Sequence, residues 1–158
     1  MIKVQSIQLF LLLILPLNLL AQKTDCSQII KIEGKYYADD FLFSGVCLSH
    51  YDNGIVSSRA IYLNGEPSGV WTWWWDNGEK KKELTYTTKN GYYNISGIVN
   101  HWFSNGQLMQ KEIFKNGLRN GDWYKYDLKG NVIMHGVYMY GEHISGDKVP
   151  VPVSSLRS

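Results

Sequence analysis

The sequence predicts an all-β chain, folded as an elongated antiparallel meander of β-hairpins in a single twisted sheet. Three observations carry that expectation. Glycines return at spacings of 24, 28 and 24 residues; Asn-Gly pairs punctuate short runs rich in aromatic and β-branched residues; and outside the first 22 residues no run keeps a helical apolar period for three turns.

The elements follow in chain order. At 158 residues, with 44% hydrophobic and 14% aromatic residues, the chain has the size of one domain and the composition to bury a core. Lys3 precedes an apolar run from Ile7 to Ala21 that is broken only by Gln8, Pro16 and Asn18. This pattern reads as a cleaved secretory signal over residues 1–21, because Pro16 beside Asn18 suits a membrane-spanning helix poorly. Export to a periplasmic, envelope or extracellular site is therefore expected. Residues 22–44 are expected to form an N-terminal cap, and residues 146–158 a tail whose Pro150 and Pro152 would blunt strand addition. Cys26 and Cys47 both fall in the exported part, where a structural disulfide is permitted; two inert thiols are the alternative.

Residues 45–145 hold four repeats, 45–68, 69–96, 97–120 and 121–145. Gly54, Gly78, Gly106 and Gly130 are each followed eight residues later by an aromatic: Tyr62, Tyr86, Phe114 and Tyr138. A second series, Gly45, Gly69, Gly97 and Gly121, is followed two residues later by Cys47, Trp71, Val99 and Trp123. Six residues beyond come Tyr51, Trp75 and Phe103, and the fourth unit is read as slipping to Tyr126 through an inserted residue. Each unit reads as strand, turn, strand, turn, with both residues of each Asn-Gly pair expected at positive φ. Residues Thr87 to Tyr93 are expected to enlarge one turn. Two strands per unit, about 4.8 Å apart, give a ribbon on the order of 40 Å long.

The recurring pattern of glycine, apolar or Trp, three residues, aromatic, one residue and Asn-Gly resembles the MORN repeat, and most closely the variant found in bacterial YwqK-type proteins, over residues 45 to about 145. The resemblance implies an elongated, twisted sheet of hairpins. It is unspecific for activity, since such arrays are attributed to protein scaffolding, lipid contact and toxin neutralisation. Cys47 and Val99 depart from the pattern at tryptophan positions, and a signal-bearing copy departs from a cytoplasmic antitoxin.

Alternation along Trp71-Thr72-Trp73-Trp74-Trp75 places Trp71, Trp73 and Trp75 on one face, with packing expected of Trp71 and Trp75. The other face is the candidate binding platform: Trp74, Trp102 and Tyr126 in a cross-strand column, with Thr72, Asn100 and Tyr124 beside them. His50 opens that column. Mutual packing of these rings is the competing reading. Lys80 to Lys82, flanked by Glu79 and Glu83, read as solvated edge charges, and a net charge of +2 gives no reason to expect nucleic acid. The four histidines lack metal spacing, and no cofactor motif or catalytic signature occurs. The expected function is a non-enzymatic, monomeric module that binds an unidentified protein or envelope component. The alternatives are a carbohydrate- or lipid-binding module that uses the aromatic face on a glycan or membrane surface, a toxin-neutralising protein, and a glycan hydrolase acting through Asp39 or Asp76.

Overall fold

The computed structural model describes residues 24–89 and 92–149. The expected signal segment, the Asn90-Gly91 turn and the prolines of the tail lie outside the described residues. The chain opens with β1 (Thr24–Asp25), one 3₁₀ turn (Cys26–Gln28), β2 (Ile29–Ile32), β3 (Lys35–Ala38) and β4 (Phe41–Leu42). Four hairpin units follow. The first has β5 (Gly45–His50), β6 (Val56–Leu63) and β7 (Glu66–Pro67); the second has β8 (Gly69–Trp74), β9 (Lys80–Lys89) and β10 (Tyr92–Ile95). The third has β11 (Gly97–Trp102), β12 (Leu108–Lys115) and β13 (Leu118–Arg119); the fourth has β14 (Gly121–Tyr126), β15 (Val132–Met139) and β16 (Glu142–Gly146).

Among the described residues thirteen strands form one sheet, whose main path runs β1-β5-β6-β8-β9-β11-β12-β14-β15-β16. From β5 onward every neighbouring pair is antiparallel, so the repeats form the hairpin meander that the sequence predicts. Two details differ from a single antiparallel sheet. Strand β1 lies parallel to β5, and β2-β3-β4 form a separate three-stranded sheet. The reason is packing: Ile29, Tyr36 and Ala38 lie against Phe43, Cys47 and Tyr62, so the N-terminal segment folds over one face of the first unit. A disulfide between Cys26 and Cys47, with Cα atoms 4.9 Å apart, ties it there.

The turns fall into two kinds. In the first kind only the glycine is left-handed: Gly54, Gly78, Gly106 and Gly130 have φ of 83° to 86°, whereas Asn53, Asn77 and Asn105 do not reach positive φ. Tyr51 N donates to Ile55 O and Gly54 N to Tyr51 O, giving a three-residue loop closed by an αL glycine. Asparagine acts here through its side chain, since Asn53 Oδ1 accepts from Ile55 N, Asn77 Oδ1 from Glu79 N and Asn105 Oδ1 from Gln107 N. Positive φ at both residues, expected for every Asn-Gly pair, occurs instead in the second kind, at Asn64-Gly65 and Asn116-Gly117.

The fourth unit keeps the same register. Asp127 N donates to Asn131 O as Tyr51 N does to Ile55 O, so no residue is inserted and Asp127, rather than Tyr126, occupies the aromatic slot. Its carboxylate accepts from Lys129 N and Asn131 N, so it serves the turn in place of an asparagine side chain. The four extra residues of the second unit lengthen a hairpin instead of enlarging a turn, because β9 and β10 stay paired out to Lys89 and Tyr92.

Register explains the repeated glycine and aromatic. Gly45 faces Tyr62, Gly69 faces Tyr86, Gly97 faces Phe114 and Gly121 faces Tyr138 across each hairpin. A glycine leaves room over the sheet that the opposite ring covers. On the same face the next pairs are Cys47 with Ala60, Trp71 with Leu84, Val99 with Glu112 and Trp123 with Gly136. This is the core face: Cys47 is 0% exposed and Trp123 is 1% exposed. Trp71 stands edge-on to Tyr62 and Tyr86 and donates through Nε1 to Ile61 O at 2.8 Å. Trp123 donates to Asp147 O at 3.1 Å, which fastens the segment after β16 over the last unit.

The candidate binding faces

The two faces of the sheet carry different chemistry. On the open face, register sets Leu48, Arg59, Thr72, Glu83, Asn100, Lys111, Tyr124 and His135 in one row across eight successive strands. One step toward the first turns come His50, Trp74, Trp102 and Tyr126, each just past a bulge in its hairpin. All six residues of the expected platform therefore share this face.

Their accessibility differs. Thr72 is only 5% exposed, because Glu83 accepts from its hydroxyl at 3.3 Å and Lys80 closes over Glu83 with a 2.7 Å ion pair. It positions neighbours from beneath. Trp74, Asn100, Trp102, Tyr124 and Tyr126 are half-buried. The indoles do not stack on one another: their hairpin partners are Lys80 for Trp74 and Leu108 for Trp102, and the Lys80 ammonium lies 5.6 Å from the Trp102 ring centre. Further along, Tyr124 stacks on His135 at 4.5 Å and on Tyr126 at 6.2 Å, and His135 Nε2 meets Asp122 Oδ1 at 2.8 Å. Beside Trp74 the side chains of Val46, Leu48, Ile55, Val56 and Arg59 enclose a largely apolar cleft of about 470 Å³.

The lysine run is not an edge feature. Strand β9 lies inside the sheet, and each lysine sits over an indole: Lys80 over Trp102, Lys81 over Trp75 at 4.3 Å and Lys82 over Trp73 at 5.5 Å. The hairpin accounts for the last contact by setting Trp73 opposite Lys82, whereas Lys80, opposite Trp74, reaches on to Trp102 of the next unit. Trp75 also donates to Trp102 O at 3.1 Å, in the same way that Tyr51 donates to Trp74 O at 2.7 Å. Tyr51 and Trp75 thus latch one unit to the next, as do Asn53 onto Asp76 O and Asn77 onto Ser104 O.

On the core face a polar cluster lies in the third unit. Glu112, 4% exposed, accepts from Arg119 Nε at 2.5 Å and from Gln110 Nε2 at 2.7 Å. Burial pushes the Lys82 ammonium below its ordinary pKa, with Glu112 opposing. Burial, and then Lys82, push the His101 imidazole below its ordinary value. Burial raises the Tyr62 phenol. Sequence reasoning missed this cluster. Its signal was Val99 in a tryptophan slot with Glu112 thirteen residues on, where the first two units carry Ala60 and Leu84. Also missed were the residues before three of the four unit glycines: Ser44 Oγ accepts from Asn64 N, Ser96 Oγ from Asn116 N and Asn120 Oδ1 from Tyr140 N, pegging the second turn of the first, third and fourth units to the segment that precedes the unit.

Asp39 and Asp76, the acids of the hydrolase alternative, are exposed in turns of different elements. Among the described residues no three His, Cys, Asp or Glu side chains converge as a metal set, and no helix is long and apolar enough to cross a membrane.

This geometry defines a class: a linear array of β-hairpin repeats with one face given to the core and the other presented to solvent. Residues 67–87 and 96–116 match the family model described as MORN repeat variant. Those two segments are thus MORN-variant repeats, and MORN repeats are in general protein- or membrane-binding modules. No curated protein and no solved structure matches the chain.

Proposed function

We propose that this chain is an exported, non-enzymatic interaction module whose open face holds a protein or another envelope component. One observation carries the reading: Trp74, Trp102 and Tyr126 recur at one register position on the face the core does not use, beside the cleft at Trp74. Half-buried indoles are held rigidly yet keep a free edge, which lowers the entropy lost on binding. Export is supported by the apolar segment after Lys3 and by the Cys26–Cys47 bridge, a bond that persists in oxidising compartments.

The test compares the native chain with a Trp74→Ala and Trp102→Ala double variant in capture from an envelope extract, with liposomes and insoluble polysaccharide sedimented alongside. A protein partner lost by the double variant, with its far-ultraviolet spectrum unchanged, is the expected result. Equal capture by both chains would overturn the platform. Retention on liposomes or polysaccharide alone would move the reading to a lipid- or glycan-binding module.

A further inference from the structure

The third unit departs from its neighbours at one position, and the departure leaves room. Trp71 and Trp123 fill the core face of the second and fourth units, whereas the third places Val99 there. A groove of about 380 Å³ lies over it, within the range of small-ligand sites, with Leu84, Ile95, Val99 and Phe114 as its apolar wall.

The polar side of this groove is cationic. Register sets Lys82 beside His101, His101 beside Gln110 and Gln110 beside Lys125 on four adjacent strands, a row spanning roughly 14 Å at 4.8 Å per strand. The groove's acid, Glu112, is committed to Arg119 and Gln110. Among the described residues no carboxylate forms an ion pair with Lys82 or Lys125. A half-buried ammonium has lost hydration that an entering anion restores.

We propose that the groove over Val99 binds a small aromatic carboxylate, its ring in the room that an indole fills in the neighbouring units and its carboxylate at the row of Lys82, His101, Gln110 and Lys125. The site lies on the opposite face from the aromatic platform and does not depend on the reading given for that face.

Calorimetric titration of the full chain with indole-3-acetate, indole-3-acetamide and tryptamine tests it. The acid binds, the amide binds about tenfold more weakly, which corresponds to ~1.4 kcal/mol, and the amine does not bind. Val99→Trp, which installs the side chain of the neighbouring units, abolishes acid binding and keeps the native far-ultraviolet spectrum. Lys82→Gln weakens it about tenfold, and Trp74→Ala leaves it unchanged. No heat with the acid, equal binding of acid and amine, or native affinity in Val99→Trp would each overturn the proposal. Should Val99→Trp fail to fold, the comparison of acid with amide in native and Lys82→Gln chains decides.

Discussion

Val99 faces Glu112 across the β11 and β12 hairpin, in the place where Trp71 faces Leu84 and Trp123 faces Gly136. Three solutions to one packing position thus stand side by side. In two of them an indole covers the sheet; in the third a carboxylate is buried beside a small side chain and needs its own cation. Arg119 supplies that cation from β13 while its guanidinium lies over the Phe114 and Tyr138 rings.

That relationship predicts a strong coupling. Arg119→Met leaves the Glu112 carboxylate buried with Gln110 alone and lowers stability by about 2 kcal/mol, the order expected when one partner of a buried charged pair is removed. Joining it to Glu112→Leu recovers most of the loss, because the stranded charge is then gone. Denaturant midpoints of the two single variants and the double variant measure this; purely additive losses would show that the pair is not coupled.

The Cys26–Cys47 bridge closes a loop with a sequence separation of 21. Chain-entropy arithmetic for a loop of that size gives roughly 3 kcal/mol. Reduction, or Cys26→Ser with Cys47→Ser, should lower the unfolding midpoint accordingly. The same change should release the β2-β3-β4 sheet first, seen as early hydrogen exchange in residues 29–42. Uniform exchange across all four units would contradict that order.

Much of this fold was legible because each unit writes the same local instructions four times. Gly45, Gly69, Gly97 and Gly121 with their opposed aromatics state the register, and the Asn-Gly pairs state the hairpins. The turn type was not legible in the dipeptide, since Asn53-Gly54 and Asn64-Gly65 read alike but close loops of different length. Placing Asp127 in an aromatic slot was equally opaque, because a carboxylate there acts on turn amides rather than on the core. At the candidate sites alternation placed Trp74 and Trp102 on the open face. It could not say that Lys80 would lie between them, that Thr72 would be sealed under Glu83, or that a valine would open a groove on the other face, since those depend on cross-strand neighbours distant in sequence.

Pegs between units are short and specific, so they predict local effects. Ser96→Ala removes the acceptor for Asn116 N and should cost about 1 kcal/mol. Ser68→Ala, in the unit whose following hairpin is lengthened, should cost less, since no side-chain acceptor role of Ser68 parallels that of Ser44 or Ser96 among the described residues. Thermal midpoints of the two variants give the comparison, and equal losses would refute the peg.

Gly136 is fixed by close approach. A Cβ there would stand 2.0 Å from Asp147 O and 2.4 Å from Trp123 Nε1, so Gly136→Ala must displace the segment that Trp123 holds. The expected loss is about 2 kcal/mol or more from overpacking. Loss of the near-ultraviolet signal of the buried indole should accompany it, while Gly54→Ala, where a Cβ meets nothing within 4 Å, costs only its backbone strain and leaves that signal intact.

His101 gives the fold a pH dependence whose sign is set by its surroundings. Burial and the neighbouring Lys82 hold its pKa below the ordinary 6.5, with Glu112 opposing. The unfolded chain therefore takes up a proton at higher pH than the folded chain does, and folding loses stability as pH falls through the window below 6.5. Above that window both states are neutral at this ring and the term vanishes. The groups facing the imidazole are Lys82 on β9 and Gln110 and Glu112 on β12, with Lys125 beyond them on β14. His101→Gln removes the titration and keeps the polarity. The stability difference between native and variant chains should thus shift in the variant's favour as pH is lowered from about 7.5 to about 5. Denaturant titrations at several pH values measure the difference directly, and a pH-independent gap would mean that the imidazole titrates alike in both states.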